Sequence, residues 1–167
     1  PGRYIGKYKD RCPMPPDYPA DFEALEPYAR DLAEINKFAD LSEEQVRRGI
    51  EGYYACVDFV DDCIGELLHG LENAGMLENT YVIYTADHGE MLGSHGLWAK
   101  AVYFENAVRI PMLISGPGIS GQVEADQAIS LVDLFPTACS LAGVPIPESI
   151  DGKDFSALLF APHPEKA

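Results

Sequence analysis

An aspartate and a histidine stand side by side at Asp87 and His88, with Gly89 behind them and Lys100 twelve positions beyond the histidine. A carboxylate next to an imidazole can supply two ligands to one divalent ion. The same pair can also do no more than cap the end of a strand, and the triplet alone leaves both readings open. Its setting carries more information. The preceding run, Tyr81-Val82-Ile83-Tyr84-Thr85-Ala86, is rich in β-formers on both faces, as a buried parallel strand requires. Ligands of open α/β sheets gather at the carboxyl ends of such strands, which is where Asp87 and His88 fall. Gly89 would let the backbone turn there without a Cβ clash.

The elements that must position this pair can be read on either side of it. Ser42-Glu43-Glu44-Gln45 fits a capping box, in which the serine oxygen takes the N3 amide and the glutamine reaches back. Val46, Ile50, Tyr53, Val57, Val60, Ile64, Leu67 and Leu71 then alternate in steps of four and three, which predicts a long amphipathic helix ending near Gly75. The flanking residues Glu51, Asp58, Asp61, Asp62 and Glu66 lack the opposite charges of a zipper, so the helix is expected to lie on a sheet. After the acidic pair, residues 87–101 read as a glycine-rich loop. Ile110–Ser115 reads as a second strand closed by Gly116-Pro117-Gly118, and Ala128–Ser130 as a short third one. A helix should follow from about Asp133 to Ala142, with Pro136 tolerated in its first turn. Residues 1–41, broken by Pro13, Pro15, Pro16, Pro19 and Pro27, are expected to be an extended, irregular segment. The fold class is therefore α/β with a largely parallel central sheet flanked by helices.

Bulk properties narrow the chemistry. With 27 acidic against 12 basic residues the net charge is −15, and no Lys/Arg cluster makes a local exception. Nucleic acid is not an expected partner. A small anion is admissible if a metal ion and a placed cation reverse the local field. No run of about eighteen apolar residues occurs, so no membrane-spanning helix is expected. The four cysteines form no C-x-x-C pair. Cys56 and Cys63 would stand about 10 Å apart along one helix, too far for a disulfide. All four are expected to be buried reduced thiols.

The string Asp87-His88-Gly89-Glu90-Met91-Leu92-Gly93-Ser94-His95-Gly96-Leu97-Trp98-Ala99-Lys100 resembles the sulfatase family, where D-H-G or D-N-G is followed by L-G-x-x-G-x-W-x-K. Similar stretches continue through Phe104-Glu105 and Arg109-Ile110-Pro111. They reach back to Tyr53–Asp58 and Asp61–Gly65, and forward to Leu131–Thr137, Leu141–Gly143 and Asp151–Lys153, so the likeness covers roughly residues 40–160. The D-H-G form resembles the choline-sulfatase, iduronate-sulfatase and phosphonate-monoester-hydrolase branches.

The resemblance implies an alkaline-phosphatase-like sandwich, one divalent metal ion and a small anionic sulfate-ester substrate. Asp87 would bind the metal and take a proton from the nucleophile, His88 would be a second ligand, and Lys100 would contact a non-bridging sulfate oxygen in the transition state. The imidazole ligand points toward Mn²⁺, whereas the family's habit points toward Ca²⁺. Arg109 is expected to form a structural ion pair, with Glu105 as the candidate partner. His95 is expected to be a loop residue, Trp98 to pack beneath the loop, and His69 and His163 to lie at the surface.

The family's nucleophile is a formylglycine made within C-x-P-x-R. The nearest string here, Cys12-Pro13-Met14-Pro15-Pro16, has methionine and proline where proline and arginine belong. The expectation is a partial sulfatase domain over residues 42–167 that lacks the N-terminal, nucleophile-bearing half. Two other readings remain at this level: a phosphonate or phosphate ester hydrolase of the same superfamily, and a non-catalytic remnant that binds a metal or a partner.

Overall fold

Pro27 begins a helix where the sequence suggested only interruption. The computed structural model describes residues 2–119 and 124–160, and its first α-helix, α1, spans Pro27–Ile35. Proline is well placed at the first helical position, since its fixed φ suits a helix and its missing N–H would have had no partner there. Ala29 and Ala33, one turn apart, are buried on one face. The segment 1–41 is therefore irregular only up to α1, and even that stretch holds short 3-10 turns at Gly2–Tyr4 and Phe22–Ala24.

The long helix α2 spans Glu43–Asn73. Its start follows the sequence: Gln45 Oε1 accepts from the Ser42 amide at 2.8 Å, and Ser42 Oγ accepts from the Gln45 amide at 3.3 Å. Its end follows too, with Gly75 at φ +65°. The expected burial of its apolar stripe stops early. Val46 and Ile50 are buried, whereas Val57, Val60 and Leu67 are exposed. Cys56 and Cys63 are exposed as well, so only Cys12 and Cys139 meet the expectation of burial; all four are free thiols.

The chain divides into two compact units. The first comprises Pro1–Asn73 and Thr85–Met112. One cluster in it joins Leu25, Ala29 and Ala33 to Met91, Leu97, Val102 and Ala107, and a second packs Trp98 and Leu92 against Cys12, Val46 and Ile50. Residues from the loop after Asp87 enter both clusters. Burying Met91 and Leu97 contributes about 1.5–3 kcal/mol each. A four-residue helix, α3, Glu105–Val108, completes this unit.

The second unit comprises Ala74–Tyr84 and Leu113–Ala167. Strands β1, Val82–Thr85, and β2, Met112–Ser115, pair in a two-stranded sheet, shorter than the expected runs 81–86 and 110–115. The broad central sheet expected of the fold class is not formed by the described residues, which are mixed helix with this small sheet. Ala128–Ser130 is not a third strand. Ser130 has extended backbone angles but serves instead as the cap of a turn at Leu131–Asp133, with Asp133 reaching back to its amide. Helix α4 follows at Leu134–Leu141 and α5 at Ser156–Phe160. Thr137, fully buried, donates to the Asp133 carbonyl at 2.7 Å and accepts from the Phe155 amide at 3.1 Å, tying α4 to the approach of α5. Asp133 accepts from the amides of Lys153 and Ser130, and those two bonds hold its carboxyl below the usual carboxylate range. No helix among the described residues is long and apolar enough to cross a membrane.

Candidate active site

Asp87 and His88 follow β1 directly, separated from it by Ala86 alone. The backbone then passes under α3. The Gly89 amide donates to the Ala107 carbonyl at 2.8 Å, and a Cβ at Gly89 would lie 2.0 Å from the Asn106 carbonyl oxygen. Glycine is thus required by close approach of two backbones, and Gly89 is not among the positive-φ glycines.

Beyond Gly89 the loop is bent tightly. Leu92, His95 and Ala99 all have positive φ, at 48°, 54° and 64°. Such a conformation costs about 1–2 kcal/mol for a residue with a Cβ. Backbone bonds offset it: Met91 donates to Ala99 at 2.9 Å and Gly93 to Leu97 at 2.8 Å. Two carboxylates add to them. Glu90 Oε1 accepts from the Leu92 amide at 3.2 Å and the Ala99 amide at 2.7 Å. Asp17, from the proline-rich segment, accepts from the His95 amide, and its Oδ2 lies 3.0 Å from His95 Nδ1. The His95 ring also stacks on Phe104, with centroids 4.3 Å apart. His95 is therefore a latched loop residue, as expected. Trp98 packs beneath the loop as expected too, seated where a Cβ on Gly49 of α2 would come within 2.5 Å of its ring.

This scaffold brings Asp87, His88 and Lys100 together. Lys100 Nζ lies 2.6 Å from His88 Nε2, and His88 Nε2 lies 3.5 Å from Asp87 Oδ2. His88 Nδ1 is 2.7 Å from the Gly89 carbonyl. A carbonyl only accepts, so Nδ1 carries the hydrogen and Nε2 presents its lone pair, the form that a metal-binding histidine needs. Two electron-rich atoms 3.5 Å apart call for a positive charge beside them, and the Lys100 ammonium supplies one. The Asp87 side chain is 85% exposed and open to a further partner. No group of three or more His, Cys, Asp or Glu side chains gathers into a metal site among the described residues. Asp87 and His88 could supply two ligands to a divalent ion, fewer than the four or more such an ion takes, with the ion displacing the Lys100 ammonium from the Nε2 lone pair.

The remaining candidates stay outside this group. Arg109 makes no ion pair with Glu105, and only its amide bonds to the Glu105 carbonyl, at 2.8 Å. His69 is exposed on α2, 3.6 Å from Glu72, and His163 lies outside the described residues. Cys12 is buried, which pushes its thiol up and disfavours the thiolate; Glu51 adds to that effect. Glu90 and Asp17 were missed by the sequence reading. Glu90 stood within the motif string, but Asp17 acts across 78 residues, at His95, and no local signal marks it.

The family model described as Sulfatase matches residues 11–144. The chain belongs to the sulfatase family. This sulfatase-family chain is 39% identical to the choline-sulfatase of Rhizobium meliloti (strain 1021) over 109 residues, which cover 65% of the chain and 21% of that relative. It is also 39% identical to arylsulfatase K of Xenopus laevis over 126 residues, covering 75% of the chain and 24% of the relative. Among solved structures it is similar to the phosphonate monoester hydrolase SpPMH from Silicibacter pomeroyi, with a TM-score of 0.86 at 27% identity, over 100% of the chain and 35% of that protein. The 167 residues thus span roughly a quarter or less of the curated relatives' length.

Proposed function

We propose that this chain forms one side of the active site of a sulfuric ester hydrolase, with Asp87 and His88 as metal ligands and Lys100 as the contact to a non-bridging oxygen of the ester. The observation that carries the reading is the convergence of Lys100 Nζ on His88 Nε2 beside Asp87 Oδ2, across twelve residues of a tightly tied loop. Membership of the sulfatase family supports the substrate class.

Each side chain has a physical task in that reading. Asp87, exposed and bonded only weakly to its neighbour's amide at 3.1 Å, keeps oxygen lone pairs for a cation and for a proton leaving the nucleophile. His88 is fixed in orientation and tautomer by the Gly89 carbonyl. Lys100 places a compact positive charge where charge develops on the sulfuryl oxygens. A bound divalent ion would act as a Lewis acid toward those oxygens. Ca²⁺ and Mn²⁺ stand level as that ion, the nitrogen donor of His88 favouring Mn²⁺ and the family resemblance Ca²⁺, and anomalous scattering from metal-loaded crystals separates the two. The remaining ligands and the formylglycine nucleophile would come from outside this chain, whose residues 42–167 are read as a partial sulfatase domain.

Similarity to a phosphonate monoester hydrolase supports a second substrate class, because both esters present a tetrahedral anion. Steady-state kinetics of the full-length protein on matched aryl sulfate and aryl phosphonate esters decides between them. We expect higher kcat/KM for the sulfate; the reverse order overturns the sulfatase reading in favour of phosphonate hydrolysis.

A further inference from the structure

Lys100 is exposed, so packing along its side chain does not set where its ammonium lies. Its end rests on His88 Nε2 at 2.6 Å, and its backbone sets where the side chain starts. The preceding residue, Ala99, has φ +64° and is clamped on both sides: its amide donates to Glu90 Oε1 at 2.7 Å, and its carbonyl accepts from the Met91 amide at 2.9 Å. Glu90 Oε1 also takes the Leu92 amide at 3.2 Å, which binds the outgoing strand of the loop to the returning one. On the far side, the Lys100 carbonyl accepts from Val102 at 2.8 Å. Glu90 forms no ion pair with Lys100, so its influence runs through the Ala99 peptide and not through direct charge pairing.

We infer that Glu90 is a positioning residue for Lys100: its carboxylate fixes the left-handed turn at Ala99, and through it the place from which the Lys100 ammonium reaches the ester oxygens. This rests on the reading of Lys100 given above. A charge-assisted bond to two amides is well suited to the task, because it holds a conformation that alanine otherwise avoids.

The full-length protein, assayed on an aryl sulfate, tests this. Glu90→Ala should lower kcat about 10- to 100-fold with little change in KM, the signature of a displaced transition-state contact. Glu90→Gln keeps an amide oxygen in place and should recover activity to within about threefold of wild type. In the double variant, Glu90→Ala should cost nothing beyond Lys100→Ala, since there is no ammonium left to misplace. Equal losses in both backgrounds, or a Glu90→Gln variant as slow as Glu90→Ala, overturn the inference. If Glu90→Ala does not fold, Glu90→Asp replaces it; being one methylene shorter, it should show the same split, and a wild-type kcat overturns the inference. The two levels separate cleanly. An unchanged kcat in Lys100→Ala removes the reading of Lys100 and this inference with it, whereas a slow Lys100→Ala beside a wild-type Glu90→Ala removes this inference alone.

Discussion

Residues 87–104 hold nothing more regular than one 3-10 turn, at Ser94–Gly96, yet Met91 and Leu97 are almost completely buried. The far half of α2 is unbroken helix with faultless apolar spacing, yet Val57, Val60 and Leu67 are 50%, 46% and 60% exposed. Regular backbone and tight fastening are therefore separate properties in this molecule. The loop is held by what it buries and by carboxylates aimed at its amides. Beyond Asp62, where Arg3 and Tyr4 still reach the helix, its tip is held among the described residues chiefly by its own hydrogen bonds. Precise chemistry needs the first kind of support, because side chains must be held in place from several directions.

Perturbation should expose the difference. Leu97→Ala removes a side chain with no exposed surface and should cost about 2–5 kcal/mol in denaturant unfolding. A loss below about 1 kcal/mol would show the loop to be loosely seated. Gly89→Ala drives a methyl against the Asn106 carbonyl and should cost about 1–3 kcal/mol; a neutral result would mean that α3 yields easily.

Acid should act next, on the arm that lies along α2. Asp58 is held below the ordinary carboxylate value chiefly by a hydrogen bond from Lys7, and Asp62 chiefly by one from the Tyr4 hydroxyl. A lowered folded-state value stabilises the fold above the unfolded value of about 3.9, and the benefit is lost as pH falls through the folded value. The protection of the amides in residues 2–10 against exchange, relative to the unfolded chain at the same pH, should therefore fall below about pH 4. Protection of the arm that stays flat down to pH 2 would break the account. The smallest effect belongs to the exposed stripe. Leu67→Ser in the 167-residue chain should alter stability by less than about 0.5 kcal/mol. A loss above about 1 kcal/mol in the full-length protein would show that the stripe is covered there.

Legibility in the sequence followed the same division. Local rules found α2 with its capping box and Gly75, the cores of both strands, and α4. They failed at α1, where Pro27 was read as a breaker although Ala29, Leu32 and Ala33 already carried helical spacing. They also failed at Ser130, whose extended backbone found no strand to pair with and became a cap. Asp87, His88 and Lys100 could be named from type and motif, and the structure places them together. The groups that hold them could not all be named. Asp17 works across the chain, and Glu90 looked like any acidic residue of a loop until its oxygen was seen on two amides. The early end of burial along α2 was equally hidden, because periodicity reports a face and says nothing of what meets it.

Trp98 is the only tryptophan among the 167 residues, and it sits in the notch left by Gly49. An indole in that place is a built-in lamp. Its emission should shift to the red and quench more readily whenever the loop lifts from α2. One fluorescence trace on the unlabelled chain would then follow the seating of Lys100 two residues away, with no substrate present.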